Sequence, residues 1–193
     1  ELTKTHISFF RSALLTGVII AGFTSLHFLG PYLYLGYPDL SGISFKIVFL
    51  IIPLSLVTGI AGSGMGKIIL FILDKKKILK TNFQHIAYVV ICGLIIAGLG
   101  IFLTDEMFGS GKEIMVKTLF TSDKEVEWYI PIIRIFGSII SFSTGASGGI
   151  FAPSLSAGAA LGAVFSEGFH LTGNETNLII LCGMTGFLTS VTR

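Results

Sequence analysis

The stretch Ser143-Thr-Gly-Ala-Ser-Gly-Gly-Ile-Phe-Ala-Pro-Ser-Leu-Ser-Ala-Gly-Ala-Ala-Leu-Gly162 decides how this chain reads. Glycines crowd its first half, and Pro153 marks the passage into an apolar run of small residues. Proline suits the first turn of a helix, where its missing N–H has no partner to lose. The amides of Gly149, Ile150, Phe151 and Ala152, just ahead of it, then lie outside the intrahelical ladder. Aligned peptide dipoles add partial positive charge at that end. Such a helix start can hold an anion with no basic side chain. At membrane depth it would be an anion site on a permeation path. Ser147 and Gly148 adjoin it, Ser147 as the expected cap of the following helix and Gly148 beside the pore.

Composition places this stretch in a membrane. Of 193 residues, 52% are hydrophobic and 12% charged, about half the roughly 25% charged share of a soluble domain. The charges gather in patches at Lys75 to Lys80, Asp105 to Lys117 and Asp123 to Glu127. Between them run apolar segments that reach the roughly 20 residues needed to span a bilayer. A formal net charge of +2 is too small to suggest a nucleic-acid partner. Cys92 and Cys182 both sit in apolar segments, with no paired spacing and no histidine partner, so they read as buried thiols. Neither a disulfide framework nor a metal site is expected, and no cofactor. With no initiator Met and no signal peptide, the chain reads as an internal piece of a longer membrane protein.

Along the chain, Phe9 to Gly30 is a first candidate span, interrupted early by Arg11. Tyr32, Tyr34 and Tyr37 follow, suited to a water–lipid interface. Phe45 to Leu73 is a second span, long enough to tilt, with Pro53 inside it. The lysines from Lys75 to Lys80 place the next loop in the cytoplasm. Gln84 to Leu103 is a third span, and the charges from Asp105 to Glu127 read as a solvated loop with a short amphipathic piece from Glu113 to Phe120. Three shorter apolar pieces follow: Glu127 to Phe142, Ile150 to about Val164, and Ile179 to Val191. Short, glycine-interrupted apolar segments suit helices that stop inside the membrane, buried in protein. Gly62/Gly66 and Gly158/Gly162 have the spacing that permits close helix contact.

Two motifs suggest other chemistry and fail. Gly62-Ser-Gly-Met-Gly-Lys67 looks like a phosphate loop, but Ala61 and Ile68 occupy the positions where that loop needs Gly and Ser or Thr. Gly145-Ala-Ser-Gly-Gly149 spells a nucleophile elbow, but no strand precedes it and no His and carboxylate partners converge on it. An enzyme is not expected. Arg134, in an apolar piece, needs polar surroundings, supplied by snorkelling or a local partner, or else it draws anions toward a pathway. Glu167 and His170 close the helix that begins near Ile150.

The run Gly148-Gly-Ile-Phe-Ala-Pro153, followed by Gly158-Ala-Ala-Leu-Gly162 and preceded by Arg134, resembles the signature of the CLC chloride channel and transporter family. Phe108-Gly-Ser-Gly111 and the helix after it resemble a turn and short helix of that family, and Gly183-Met-Thr-Gly186 resembles the helix after the signature helix. The resemblance implies an all-α polytopic membrane bundle of broken, tilted helices. It implies part of an inverted repeat, with residues 1–40 closing the first repeat and residues 41–193 forming most of the second. It implies chloride or a similar small anion as the transported species, held by the amides of Ile150 and Phe151 in a homodimer with one pore per subunit. The family's gating glutamate and serine-bearing motif would precede Glu1, and its site-completing tyrosine would follow Arg193. The exchangers' internal acid would fall at Glu1 or Leu2. The expected location is the cell membrane, the inner membrane in a bacterium. The rival reading is a cation-coupled secondary transporter with broken helices, which predicts carboxylates at membrane depth.

Overall fold

The structure is a computed structural model that describes residues 16–28, 30, 38, 40, 44–102, 109–146, 148–171 and 173–192. Among these residues it is helical, without strands. The chain divides into two compact units, residues 1–37 and 38–193. In the first unit the described element is α1, Thr16–Phe28, a short apolar helix with Val18, Phe23 and Phe28 exposed. The rest of the expected first span, including Arg11 and the tyrosine cluster, lies outside the described residues.

The second unit holds α2 (Phe45–Lys76), α3 (Asn82–Phe102), α4 (Lys112–Phe120), α5 (Ile130–Ser143), α6 (Phe151–Gly168) and α7 (Asn174–Thr192). The second and third expected spans are thus α2, which starts at Phe45 as expected and runs on past Leu73 to Lys76, and α3, which starts at Asn82 rather than Gln84. Helix α2 starts at Ser44, whose hydroxyl accepts from the Lys46 amide at 3.4 Å, and it runs 32 residues through Pro53. At 1.5 Å per residue that is about 48 Å, longer than a hydrocarbon core of about 30 Å. The helix therefore tilts or projects from the bilayer. It also carries Lys75 and Lys76 in its last turn, where a loop was expected; cations there suit the negative end of the helix dipole.

Helix α7 is the hub, with α6 along one side and α2 along another. Helix α5 bridges α2, α3 and α6, and α4 lies against α6 and α7. Glycine makes the central seams possible. A Cβ on Gly158 would stand 2.5 Å from the Gly183 carbonyl oxygen, and one on Gly162 would stand 2.7 Å from Ile180 Cα. On the α2 side, a Cβ on Gly62 would stand 2.7 Å from the Phe187 carbonyl oxygen. Both glycine pairs from the sequence thus begin or line close helix contacts, and dispersion between backbones replaces the hydrophobic effect as the glue. Around the seams Met65, Ile69, Ile139, Ala157 and Phe187 form one core cluster. A second gathers Ile47, Leu54 and Ile179. Hydroxyls buried among them bond back into their own helices: Thr58 to the Leu54 carbonyl at 3.0 Å, Ser166 to the Gly162 carbonyl at 2.8 Å.

The outside is apolar as well. Phe49, Ile52, Leu56 and Ile60 of α2 and Val90, Leu94 and Ile101 of α3 are exposed. Apolar faces of this extent would be insoluble in water and suit contact with lipid.

Two helices extend beyond their expected ends. Helix α7 begins at Asn174, not Ile179, because its polar first turn is anchored: Asn177 accepts from Lys124 Nζ at 2.6 Å. Helix α6 runs to Gly168 and closes in a Schellman motif. The His170 amide donates to Glu167 O at 2.9 Å, the Leu171 amide to Ser166 O at 2.9 Å, and His170 takes φ +51°. The short amphipathic piece expected from Glu113 to Phe120 is α4, which buries Ile114, Met115, Thr118 and Leu119.

Candidate anion site at the start of α6

Helix α5 ends at Ser143, and Gly145, at φ +80°, turns the chain in a conformation that side chains resist. The link then reaches α6, whose N-cap is Ile150, without a side-chain cap hydrogen bond. Ser147, the expected cap, lies outside the described residues. The first bond of the helical ladder runs from the Ser154 amide to Ile150 O at 3.1 Å. Pro153 has no N–H, so the amides of Phe151 and Ala152, with Ile150 ahead of them, form the open positive end of the helix.

A cleft of about 550 Å³ meets this end. Gly148, Gly149, Ala152 and Pro153 line it, together with Ser138 and Arg134 of α5. A Cβ on Gly149 would meet nothing within 4 Å, which leaves the backbone there open to a ligand. The structure separates the six expected site residues. Gly148, Gly149 and Ala152 share the cleft. Ile150 packs against the core around Met65 and Phe187. Phe151 is 62% exposed, and its side chain does not line the cleft.

Arg134 is 3% exposed and reaches polar partners inside the protein. Its Nη2 donates to Ser156 Oγ at 2.5 Å and its Nε to the same oxygen at 3.1 Å, while Nη1 donates to Gly109 O at 3.4 Å. Of the possibilities open in the sequence, a local structural partner is thus present. The guanidinium joins α5, α6 and the turn before α4. Gly111 completes that junction at φ +75°, where a Cβ would collide with Arg134 and Ser156.

Sequence reading missed a second junction. Lys76 Nζ donates to the Thr144 carbonyl, just past the end of α5, and lies 5.4 Å from the centroid of the Tyr88 ring. The Tyr88 hydroxyl donates to Ser143 Oγ at 2.8 Å. Nothing local in the sequence signals a bond between residues 68 positions apart.

A larger cavity, about 870 Å³, lies at the other end of α6, lined by Glu167 and His170 there, by Lys117 of α4, and by Glu125 and Glu127 between α4 and α5. Its charges are of both signs, so it offers no equivalent attraction for an anion. Among the described residues no cluster of three His, Cys, Asp or Glu side chains could hold a metal ion.

No curated protein matches the chain. A family model described as Voltage gated chloride channel matches residues 3–193, nearly the whole length. The chain therefore belongs to the voltage gated chloride channel family, a family of integral membrane proteins that transport chloride.

Proposed function

We propose that this chain supplies part of an anion pathway in which chloride, or a similar small monovalent anion, is held by the backbone amides of Gly149, Ile150, Phe151 and Ala152. The observation that carries this reading is the uncapped start of α6 facing an open cleft with bare glycine backbone. Backbone dipoles bind an anion firmly enough to strip part of its water, yet weakly enough to release it, as conduction requires. A lysine at the same place would hold the anion more tightly and slow its exit. Residues 41–193 form most of the second repeat of the transmembrane domain, and residues 1–40 close the first. The assembly is a homodimer with a pore in each subunit, in the cell membrane, with Lys75 to Lys80 on the cytoplasmic side.

The test is chloride efflux from liposomes holding the full-length protein. Phe151→Ala keeps the amide and retains most of the flux. Phe151→Pro removes an N–H that donates to a charged partner, a bond worth about 1.5–3 kcal/mol, and lowers anion affinity about tenfold to a hundredfold. Equal flux in both variants, with both eluting as folded protein on gel filtration, would remove the Phe151 amide from the site.

A further inference from the structure

We propose that Lys76 and Tyr88 are positioning residues for the anion site: together they clamp the end of α5 and so fix the turn that aims the amides at the start of α6. The inference rests on the function proposed above and adds to it residues of α2 and α3, which lie outside the signature run.

Three observations carry it. Lys76, from the last turn of α2, donates to the Thr144 carbonyl. A cation at that point satisfies a carbonyl that the end of α5 leaves without a helical partner, and it meets the negative end of the α5 dipole. Tyr88, from α3, holds the neighbouring Ser143 through its hydroxyl at 2.8 Å and offers its ring to Lys76 at 5.4 Å. Ser143, 2% exposed, donates its own hydroxyl hydrogen bond to Ile140 O at 2.7 Å, so the chain of bonds from Tyr88 ends in the body of α5. Gly145 follows at φ +80°, and a Cβ there would sit 3.1 Å from Lys76 Nζ. The backbone conformation therefore calls for glycine at this turn, and Lys76 Nζ lies close against it. The chain on both sides of this turn lines the cleft, through Phe142 before it and Ala146 and Gly148 after it.

Glycine-rich backbone has no stiffness of its own. Gly145, Gly148 and Gly149 all lie between α5 and α6, and without the clamp the amides of Gly148 and Gly149 would sample many directions. A site preorganised by fixed donors binds more tightly than one that must order itself around the ligand. Lys76 and Tyr88 supply that order from outside the link, without touching the anion.

The experiment measures chloride binding to the purified full-length protein by calorimetry, with the thermal midpoint of each variant recorded alongside. Lys76→Met removes the donor and weakens binding about threefold to tenfold with a thermal midpoint close to wild type, and Lys76→Arg restores it to within about twofold. Tyr88→Phe keeps the ring, loses the hydroxyl and changes no charge, and it weakens binding in the same direction. A replacement of the Phe151 amide by an ester runs in parallel to test the underlying site alone. Wild-type affinity in Lys76→Met beside a weakened ester variant overturns the clamp and leaves the amide site standing. Wild-type affinity in both overturns the clamp and the site together. A loss in Lys76→Met that raised ionic strength abolishes, with Tyr88→Phe silent, reduces Lys76 to a distant attractive charge and overturns positioning. Equal losses in Lys76→Met and Lys76→Arg with a fallen thermal midpoint overturn it in favour of plain structural support.

Discussion

Replacing Gly158 by alanine probes the seam on which the placement of α6 depends. The new Cβ would stand 2.5 Å from the Gly183 carbonyl oxygen, 2.7 Å from Met184 Cα and 2.9 Å from the Gly183 carbonyl carbon. All three are backbone atoms, so no side chain can swing aside. To recover an ordinary contact of 3.4 Å from 2.5 Å, the helices must separate locally by about 0.9 Å. Gly62 and Gly186 hold α7 against α2 just as closely, with Cβ distances of 2.7 Å to Phe187 O and 2.7 Å to Thr58 Oγ1, so α7 cannot retreat freely. Overpacking of this kind costs about 1–3 kcal/mol, and the better helix propensity of alanine offsets up to about 1 kcal/mol of it. Gly93 of α3 is the control, since a Cβ there meets nothing within 4 Å. Gly93→Ala should leave stability unchanged or raise it by up to about 1 kcal/mol. Unfolding of the full-length protein in mixed micelles, titrated with a denaturing detergent, should place Gly158→Ala about 1–3 kcal/mol below Gly93→Ala. Chloride affinity should fall with it, because α6 carries the amides. Equal stability for the two variants would refute the reasoning that the α6–α7 seam is closed by backbone contact.

Two further perturbations test the ends of the helices. His170 holds the left-handed position of the Schellman cap at φ +51°, where a residue with a Cβ bears about 1–2 kcal/mol of strain. His170→Gly relieves that strain, less a cost of about 0.5–1 kcal/mol for the freer unfolded chain, so stability should rise modestly in the same titration; a fall would show that the imidazole makes a contact worth more than the strain. Lys124 donates to Thr118 O at 2.9 Å, Leu119 O at 3.1 Å and Asn177 Oδ1, and burial holds its ammonium below the usual lysine range. A group whose folded pKa is lowered binds fewer protons folded than unfolded, so stability rises with pH through the interval between its folded value and 10.5. The stability of wild type relative to Lys124→Met should therefore increase as pH is raised toward 10.5, and a steady decrease over that interval would reverse the sign of the coupling.

What the sequence made legible follows from how local the chemistry is. The start of α6 could be read because Pro153 and the glycines before it act within one turn. The long apolar helices α2 and α3 could be read because lipid contact leaves an unbroken apolar run. The polar first turn of α7 could not, since Asn174 to Asn177 look like loop until Lys124 arrives from 53 residues away. Arg134 was known to need a partner, but Ser156 and Gly109 are brought to it only by the packing of α5 against α6 and the turn before α4. Lys76 carried a topological meaning in the sequence, and its bond to Thr144 emerges only when α2 and α5 meet.

The central claim, that backbone amides and not a basic side chain hold the anion, is met most directly by locating a bromide ion. Crystals of the full-length protein grown with bromide in place of chloride, measured at the bromine absorption edge, give the ion's position from its anomalous signal alone. The account predicts a peak at hydrogen-bonding distance from the Ile150 and Phe151 amide nitrogens, inside the cleft beside Gly149. A peak seated instead on the Arg134 guanidinium or the Lys76 ammonium, with none at the start of α6, would contradict it.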